Sequence, residues 1–286
     1  MKHFILLFIL NLRKKGRAFF WGSGVLALIW GCVAKSGSEF RFQDSASLSL
    51  PSFSIEGVSS GSFSFSFVGD IHLGGSDTQR LRTVLEAAKN HGDAFVIFLG
   101  DLVDKGDRES LIAFRSQISE FGFENKSLYV LGNHDVFDNG WVHWRELMGP
   151  SHFDIVIGNC HFFVLDSADG IVGEEQSQWL EAKLKNSNSV HKVVLSHYMP
   201  LVPGQRTYLR LADELEAVSL MKLLTRYEAT AWLGGHYHSF VQEKIENVTY
   251  LVAGGGGGRR MEPIKDNFFV RAQVTADKIS FELIKF

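Results

Sequence analysis

From Phe63 onward the chain alternates short apolar runs with segments whose apolar residues recur every three or four positions. Phe63 to Val68, Ala94 to Leu99, Leu128 to Leu131, Val193 to Leu195 and Ala231 to Leu233 are short apolar runs that end at glycine or polar residues, a pattern that predicts strands. Leu81, Val84, Leu85 and Ala88 fall on one face of a helix that Ser76 and Asp77 are placed to cap. Leu111, Phe114, Ile118 and Phe121 predict a second helix, and Glu174 to Asn186 a third. Leu211 to Tyr227 predicts a fourth, with Leu215, Val218, Leu220, Leu223 and Leu224 as its apolar positions. Strand-like patterns alone fill Phe153 to Leu165 and the stretch from Phe240 to the C-terminus. Strand–helix alternation that finishes in hairpins predicts an α/β fold with two packed sheets flanked by helices, and a single domain over residues 63–286.

The first 62 residues follow a different pattern. Phe4 to Leu12 is apolar, Arg13, Lys14, Lys15 and Arg17 follow, and Ala18 to Gly31 is uncharged and mostly apolar. A basic stretch, an apolar stretch and then Gly31-Cys32 predict an export signal over residues 1–31. The apolar stretch is shorter than the ~20 residues a membrane-spanning helix needs. The Gly-Cys ending resembles a bacterial lipobox, which implies a lipidated Cys32; an uncleaved signal anchor and a cleaved soluble form are the alternatives. Either of the first two makes the membrane a partner and the location exported and anchored. Residues 32–62 are Ser-rich with few large aliphatics, which predicts a flexible tether, although Phe40, Phe42, Phe53 and Ile55 are also consistent with a short edge strand.

Composition narrows the partners. The formal net charge of −3 gives no electrostatic footprint for nucleic acid, so none is expected. The 24 Phe favour a well-filled core. Cys160 opens an apolar run and has no second cysteine to pair with if Cys32 is acylated, so it is expected to be a buried thiol.

The candidate chemistry sits where the predicted strands end. Asp70-Ile71-His72, Gly100-Asp101, Gly132-Asn133-His134-Asp135, Ser196-His197 and Gly235-His236-Tyr237-His238 each follow one of the five apolar runs. Each holds a carboxylate, an imidazole or an amide oxygen, the donors that divalent metals prefer. In α/β sheets the loops at strand ends converge on one crevice. A single histidine at a strand end is usually a solvated loop residue; five such clusters in this order are not.

This pattern is similar to that of the calcineurin-like metallophosphoesterase family, which runs Asp-x-His, Gly-Asp, Gly-Asn-His-Asp/Glu, His, then Gly-His-x-His. The resemblance spans about Phe63 to Phe286. With Gln178-Trp179-Leu180-Glu181 ahead of the fourth cluster, the chain looks like the bacterial branch that contains class III cyclic nucleotide phosphodiesterases. Purple acid phosphatases share the core but carry a Tyr three residues after the bridging Asp, where this chain has Asp104. The resemblance implies a four-layer α/β/β/α sandwich and two metal ions of Mn, Fe or Zn type. Asp70, His72 and His238 would hold one ion, Asn133, His197 and His236 the other, and Asp101 would bridge. A hydroxide between the ions would then attack the phosphorus of a phosphodiester or phosphomonoester. His134 would serve the leaving oxygen and Asp135 would orient His134; for Asp135 a plain capping role is the alternative, and Asp104 is either a support of the site or a helix-entry acid. Gly254 to Gly258 lacks the Lys-Ser/Thr ending of a phosphate loop and is read as a turn that passes close to the metals. Arg259 and Arg260 are candidates for holding substrate, and Phe137, Trp141 and Trp144 for walling a pocket or filling the core. The competing function is a non-catalytic binding or scaffold module on the same fold.

Overall fold

A computed structural model describes residues 36–286 apart from 51, 56, 57, 59, 60, 75–78, 203–206 and 262. The export signal, Cys32 and the Ser76–Asp77 cap lie outside the described residues. The strands are β1 (Ser62–Val68), β2 (Val96–Phe98), β3 (Ser127–Tyr129), β4 (Phe153–Ile157), β5 (Cys160–Val164), β6 (His191–Leu195), β7 (Ala231–Gly234), β8 (Phe240–Ile245), β9 (Val248–Ala253), β10 (Phe268–Thr275) and β11 (Ile279–Lys285). The helices are α1 (Gly37–Ser45), α2 (Gln79–Asn90), α3 (Arg108–Glu120), α4 (Gly140–Leu147), α5 (Glu174–Asn186) and α6 (Glu214–Arg226).

One sheet has the order β11-β10-β1-β2-β3 and the other β4-β5-β6-β7-β9-β8. Successive strand residues point to opposite faces, and that period sorts the sequence into layers. Phe63, Phe65, Phe67, Ile97 and Leu99 face Phe162, Val164, Val193, Leu195 and Leu233 of the other sheet. On the outer face of the first sheet, Val68, Val96 and Phe98 meet Leu81, Val84 and Leu85 of α2 and Leu111, Phe114 and Ile118 of α3. On the outer face of the second, Phe163, Val194 and Trp232 meet Leu180 and Leu184 of α5 and Leu220 and Leu224 of α6. The layers are therefore helix, sheet, sheet, helix, the predicted sandwich. Cys160 is a free, buried thiol between the sheets, and burial pushes it up to about 12.

Three elements differ from the sequence reading. Asp213 caps α6 by accepting from the Leu215 and Glu216 N–H groups, and the buried stripe is Ala217, Leu220, Leu223 and Leu224. Leu215 is 81 % exposed and Val218 48 %; the two lie three apart on a neighbouring stripe that faces solvent. Helix α4 follows the third cluster after a kinked 3-10 turn at His134–Asn139, with Trp144 fully buried and Trp141 donating to Asp44 at 2.8 Å.

The third difference corrects the tether. The described residues pack as one unit, and α1 lies within the stretch read as flexible. Ser36 and Glu39 cap α1 reciprocally. Arg41 then donates two hydrogen bonds to Asp166, at 2.7 and 2.9 Å, with both side chains buried. Phe42 stacks on His152 with ring centroids 4.0 Å apart, and Ser45 bonds Ser151. The docking is mostly polar, so it leaves almost no apolar periodicity to read. A buried carboxylate that loses its partner costs roughly 3–5 kcal/mol. Arg41→Ala is therefore expected to lower unfolding stability by about that amount in urea titrations, and a loss under ~1 kcal/mol would show that α1 is not held by this pair.

Candidate metal centre

β1, β2 and β3 run parallel, as do β5, β6, β7 and β9. Their C-terminal ends deliver all five clusters to one edge of the sandwich, and β9 delivers Gly254–Gly258 there as well. The turns are tight. Asp70, His72, Asp101 and His236 have φ between 49° and 64°, the left-handed region that few non-glycine residues adopt; such strain concentrates at functional sites. Gly100 has φ +89°, and a Cβ there would lie 2.5 Å from His197 Nδ1, so only glycine fits between Asp101 and that imidazole.

All seven expected ligands come together. Asp70, His72, Asp101 and His238 form one group of potential ligand atoms, and Asp101, His197 and His236 a second that shares Asp101. Asn133 joins the second through Oδ1, 3.1 Å from His197 Nε2.

The histidines are oriented in a consistent way. Each commits one ring nitrogen to a fixed acceptor and turns the other inward. His72 Nδ1 donates to Asp104 Oδ1 (3.1 Å), His197 Nδ1 to the Leu99 carbonyl (2.8 Å) and His238 Nδ1 to the Arg259 carbonyl (2.9 Å). His236 Nε2 donates to the Tyr208 carbonyl (3.0 Å), which leaves its buried Nδ1 without a hydrogen-bond partner among the described residues. His72 Nε2 and His238 Nε2 then face each other at 3.3 Å. With both Nδ1 atoms protonated, neutral rings bring two lone pairs together, an arrangement that only a cation or an extra proton relieves. Ligating histidines characteristically donate their second N–H to a carbonyl or carboxylate in this way. The side chains thus fit divalent metal.

Electrostatics agree. Asp70 and Asp101 are 0 % and 1 % exposed. Burial opposes their ionisation, yet the imidazoles of His238 and His197 hold both carboxyls well below the usual range. Burial also opposes charge on His197, but Asp101 outweighs it and pushes that imidazole to about 9. Burial and then the neighbouring His197 drive His236 down to about 4, which keeps it a neutral donor. Two buried anions demand positive charge, and protons supply it where no metal does.

His134 is in neither of these two groups; with His72 and Asp104 it forms a third set of potential ligand atoms. Its N–H donates to Asp101 Oδ1 at 2.8 Å, and its Nδ1 donates to the Asp104 carbonyl at 2.9 Å. The orienting contact expected of Asp135 is therefore made by Asp104. Asp135 is fully buried and accepts from the N–H groups of Gly132, Leu102 and Val103, so it joins two ligand-bearing loops as the capping alternative describes. Burial, then the charge of Asp101, pushes its carboxyl up to about 7. Asp104 holds His72 with its side chain and His134 with its backbone.

The glycine run passes against the ligands: Gly258 N–H donates to the Asp70 carbonyl and Gly256 N–H to Gly69. The Arg260 guanidinium is spent on the Gly254 and Gly258 carbonyls, so it braces this loop. The sequence reading missed Tyr198, whose ring stacks on His236 at 3.7 Å, and the carbonyls of Leu99, Tyr208 and Arg259. Backbone acceptors carry no residue signature.

The calcineurin-like phosphoesterase family model matches residues 63–240, and the chain belongs to that family. Curated relatives come from its cyclic nucleotide phosphodiesterase branch. A probable cyclic nucleotide phosphodiesterase of Fibrobacter succinogenes is 25 % identical over 215 residues, 65 % of this chain and 76 % of that protein. The cAMP/cGMP dual specificity phosphodiesterase of Mycobacterium tuberculosis is 24 % identical over 208 residues, 65 % of each chain, so this chain spans just under two thirds of it. Among solved structures, the purple acid phosphatase PPD1 of yellow lupin (Lupinus luteus) superposes with a TM-score of 0.67 at 16 % identity, covering 78 % of this chain and 51 % of that one. That likeness is one of fold. The chain is a phosphoric ester hydrolase with a candidate divalent-metal site.

Proposed function

We propose that the chain is a two-metal phosphodiesterase. The observation that carries this reading is the pair of ligand groups sharing Asp101, each completed by imidazoles whose outer nitrogens are tied down. Asp70, His72 and His238 would hold one ion, Asn133, His197 and His236 the other, and Asp101 would be shared between them. Two divalent cations there supply Lewis-acid stabilisation of the phosphoryl oxygens and a water acidified enough to act as nucleophile near neutral pH. The protein's own part is to orient. Asp104 fixes the tautomer of His72 and the direction of His134. His134 Nε2 faces the position of the departing oxygen and gives it a proton or a hydrogen bond. The names of the curated relatives favour diesters, cyclic nucleotides among them, over monoesters.

Full-length protein should hydrolyse bis-p-nitrophenyl phosphate with added Mn²⁺ and lose that activity with a chelator. Zinc and iron are tested in the same series, since this donor set does not separate them. Activity on a panel of monoesters that exceeds activity on all diesters would contradict the diesterase reading.

We further propose, on the sequence alone, that residues 1–31 or an acylated Cys32 anchor the chain to a membrane after export. Among the described residues no helix is long and apolar enough to cross a membrane. The membrane fraction should contain a chain that begins at Cys32 with lipid attached, and Cys32→Ser should lose both. An intact N-terminus on membrane-bound protein would favour the signal anchor, and an entirely soluble cytoplasmic chain would contradict export.

A further inference from the structure

We propose that Phe137 is a platform on which this enzyme stacks a planar aromatic group, of nucleobase size, carried by its phosphoester substrate. The inference rests on the phosphoester reading above and specifies what lies beyond the phosphorus.

Three observations converge on this residue. Phe137 is 47 % exposed, whereas Trp144, two turns of chain later, is fully buried and Trp141 is tied to Asp44. Of the three aromatics after the third cluster, Phe137 alone is left open. Single exposed apolar residues are ordinary; the position of this one is not. Its ring centroid lies 4.8 Å from that of His134, with the planes 48° apart. His134 Nδ1 is committed to the Asp104 carbonyl, so Nε2 is the ring nitrogen open to a substrate oxygen, and the Phe137 ring lies against that same imidazole.

The backbone holds the ring there. Phe137 breaks the helical turn after His134 with φ −64° and ψ 155°, and Asp138 and Asn139 follow at φ 56° and 65°. Asp and Asn are the side chains that enter the left-handed region most readily, so the turn suits its sequence. Gly106 and Gly140 close on the Asp135 carbonyl from two sides, so tightly that a Cβ on either would collide with it. The next residues enter α4, which Trp144 anchors in the core. The Asp135 carboxylate is fixed by three backbone N–H groups. The turn is therefore anchored at both ends, and it presents an apolar ring to solvent beside His134. A preorganised ring of this kind binds a π-face without ordering cost, and base–aromatic stacking is tolerant of which base is present.

The test compares ligands that differ only in the base. AMP and ribose 5-phosphate are titrated by calorimetry into full-length, Mn²⁺-loaded protein, for wild type, Phe137→Ala and Phe137→Tyr. Wild type should prefer AMP by roughly 10-fold or more, within the range of base–aromatic stacking. Phe137→Ala should bring the ratio near one, and Phe137→Tyr, which keeps the ring, should retain the preference. Equal preference in wild type and Phe137→Ala, or binding of both ligands by wild type with no preference, overturns the platform and leaves the phosphoester reading standing. Binding of neither ligand by folded, metal-loaded wild type overturns both.

Discussion

Asp101→Asn is expected to abolish turnover and strip metal from the protein. The carboxylate is 1 % exposed and belongs to both ligand groups. Its Oδ2 lies 3.3 Å from His197 Nε2 and 3.6 Å from His72 Nε2, and its Oδ1 accepts from the His134 N–H. An amide keeps one acceptor oxygen, so the bond to His134 N–H survives and the loop should stay in place. It lacks the second anionic oxygen and the charge that offsets two cations. Loss of an outer-shell partner costs about 10–100-fold, so losing the shared ligand should exceed that. Metal content by mass spectrometry, with kcat and circular dichroism on the same sample, checks it. A folded mutant that keeps both its metal and near-native turnover would remove Asp101 from the shared position.

His134→Ala is expected to separate chemistry from metal binding. His134 bonds Asp101 through its backbone N–H, which alanine preserves, and its ring only packs edge-on against that of His72. Metal content should therefore hold, while kcat on poor leaving groups falls by roughly 10²–10⁴-fold, the span of general acid–base contributions. An activated nitrophenolate needs little help to depart, so its loss should be smaller. Equal losses across leaving groups would rule out proton donation, and a loss of metal would make His134 a ligand.

The chemistry of this chain was more legible in its sequence than its packing. Candidate metal ligands are limited to a few residue types, and the parallel strands end at one edge, so the residues that the structure brings together there, Asp70, His72, Asp101, Asn133, His197, His236 and His238, could be picked out from short motifs after apolar runs. The layers were legible for a similar reason: Phe63, Phe65 and Phe67 repeat with the period of a strand, and Leu81, Val84, Leu85 and Ala88 with that of a helix. Helix α1 was not, because it docks mainly through polar contacts, the buried Arg41–Asp166 pair and the bonds of Asp44 and Ser45 among them. Arg41 and Asp166 stand far apart in sequence, and nothing local marks them as partners. Leu215 and Val218 misled because an apolar residue on an adjacent stripe looks the same as one on the buried stripe. Asp135 misled because a carboxylate next to a catalytic imidazole can equally turn to backbone N–H groups, and here three of them converge. The acceptors that orient His197, His236 and His238 are backbone carbonyls, which every residue possesses.

The most direct test of the two-metal reading is the metal stoichiometry of the active protein. Apo-protein titrated with Mn²⁺, with bis-p-nitrophenyl phosphate hydrolysis followed at each step, should bind two ions per chain, and activity should rise with occupancy of the second. A chain that binds one ion or none and still folds, with no hydrolysis at saturating metal, would contradict the account and leave the fold as a binding or scaffold module.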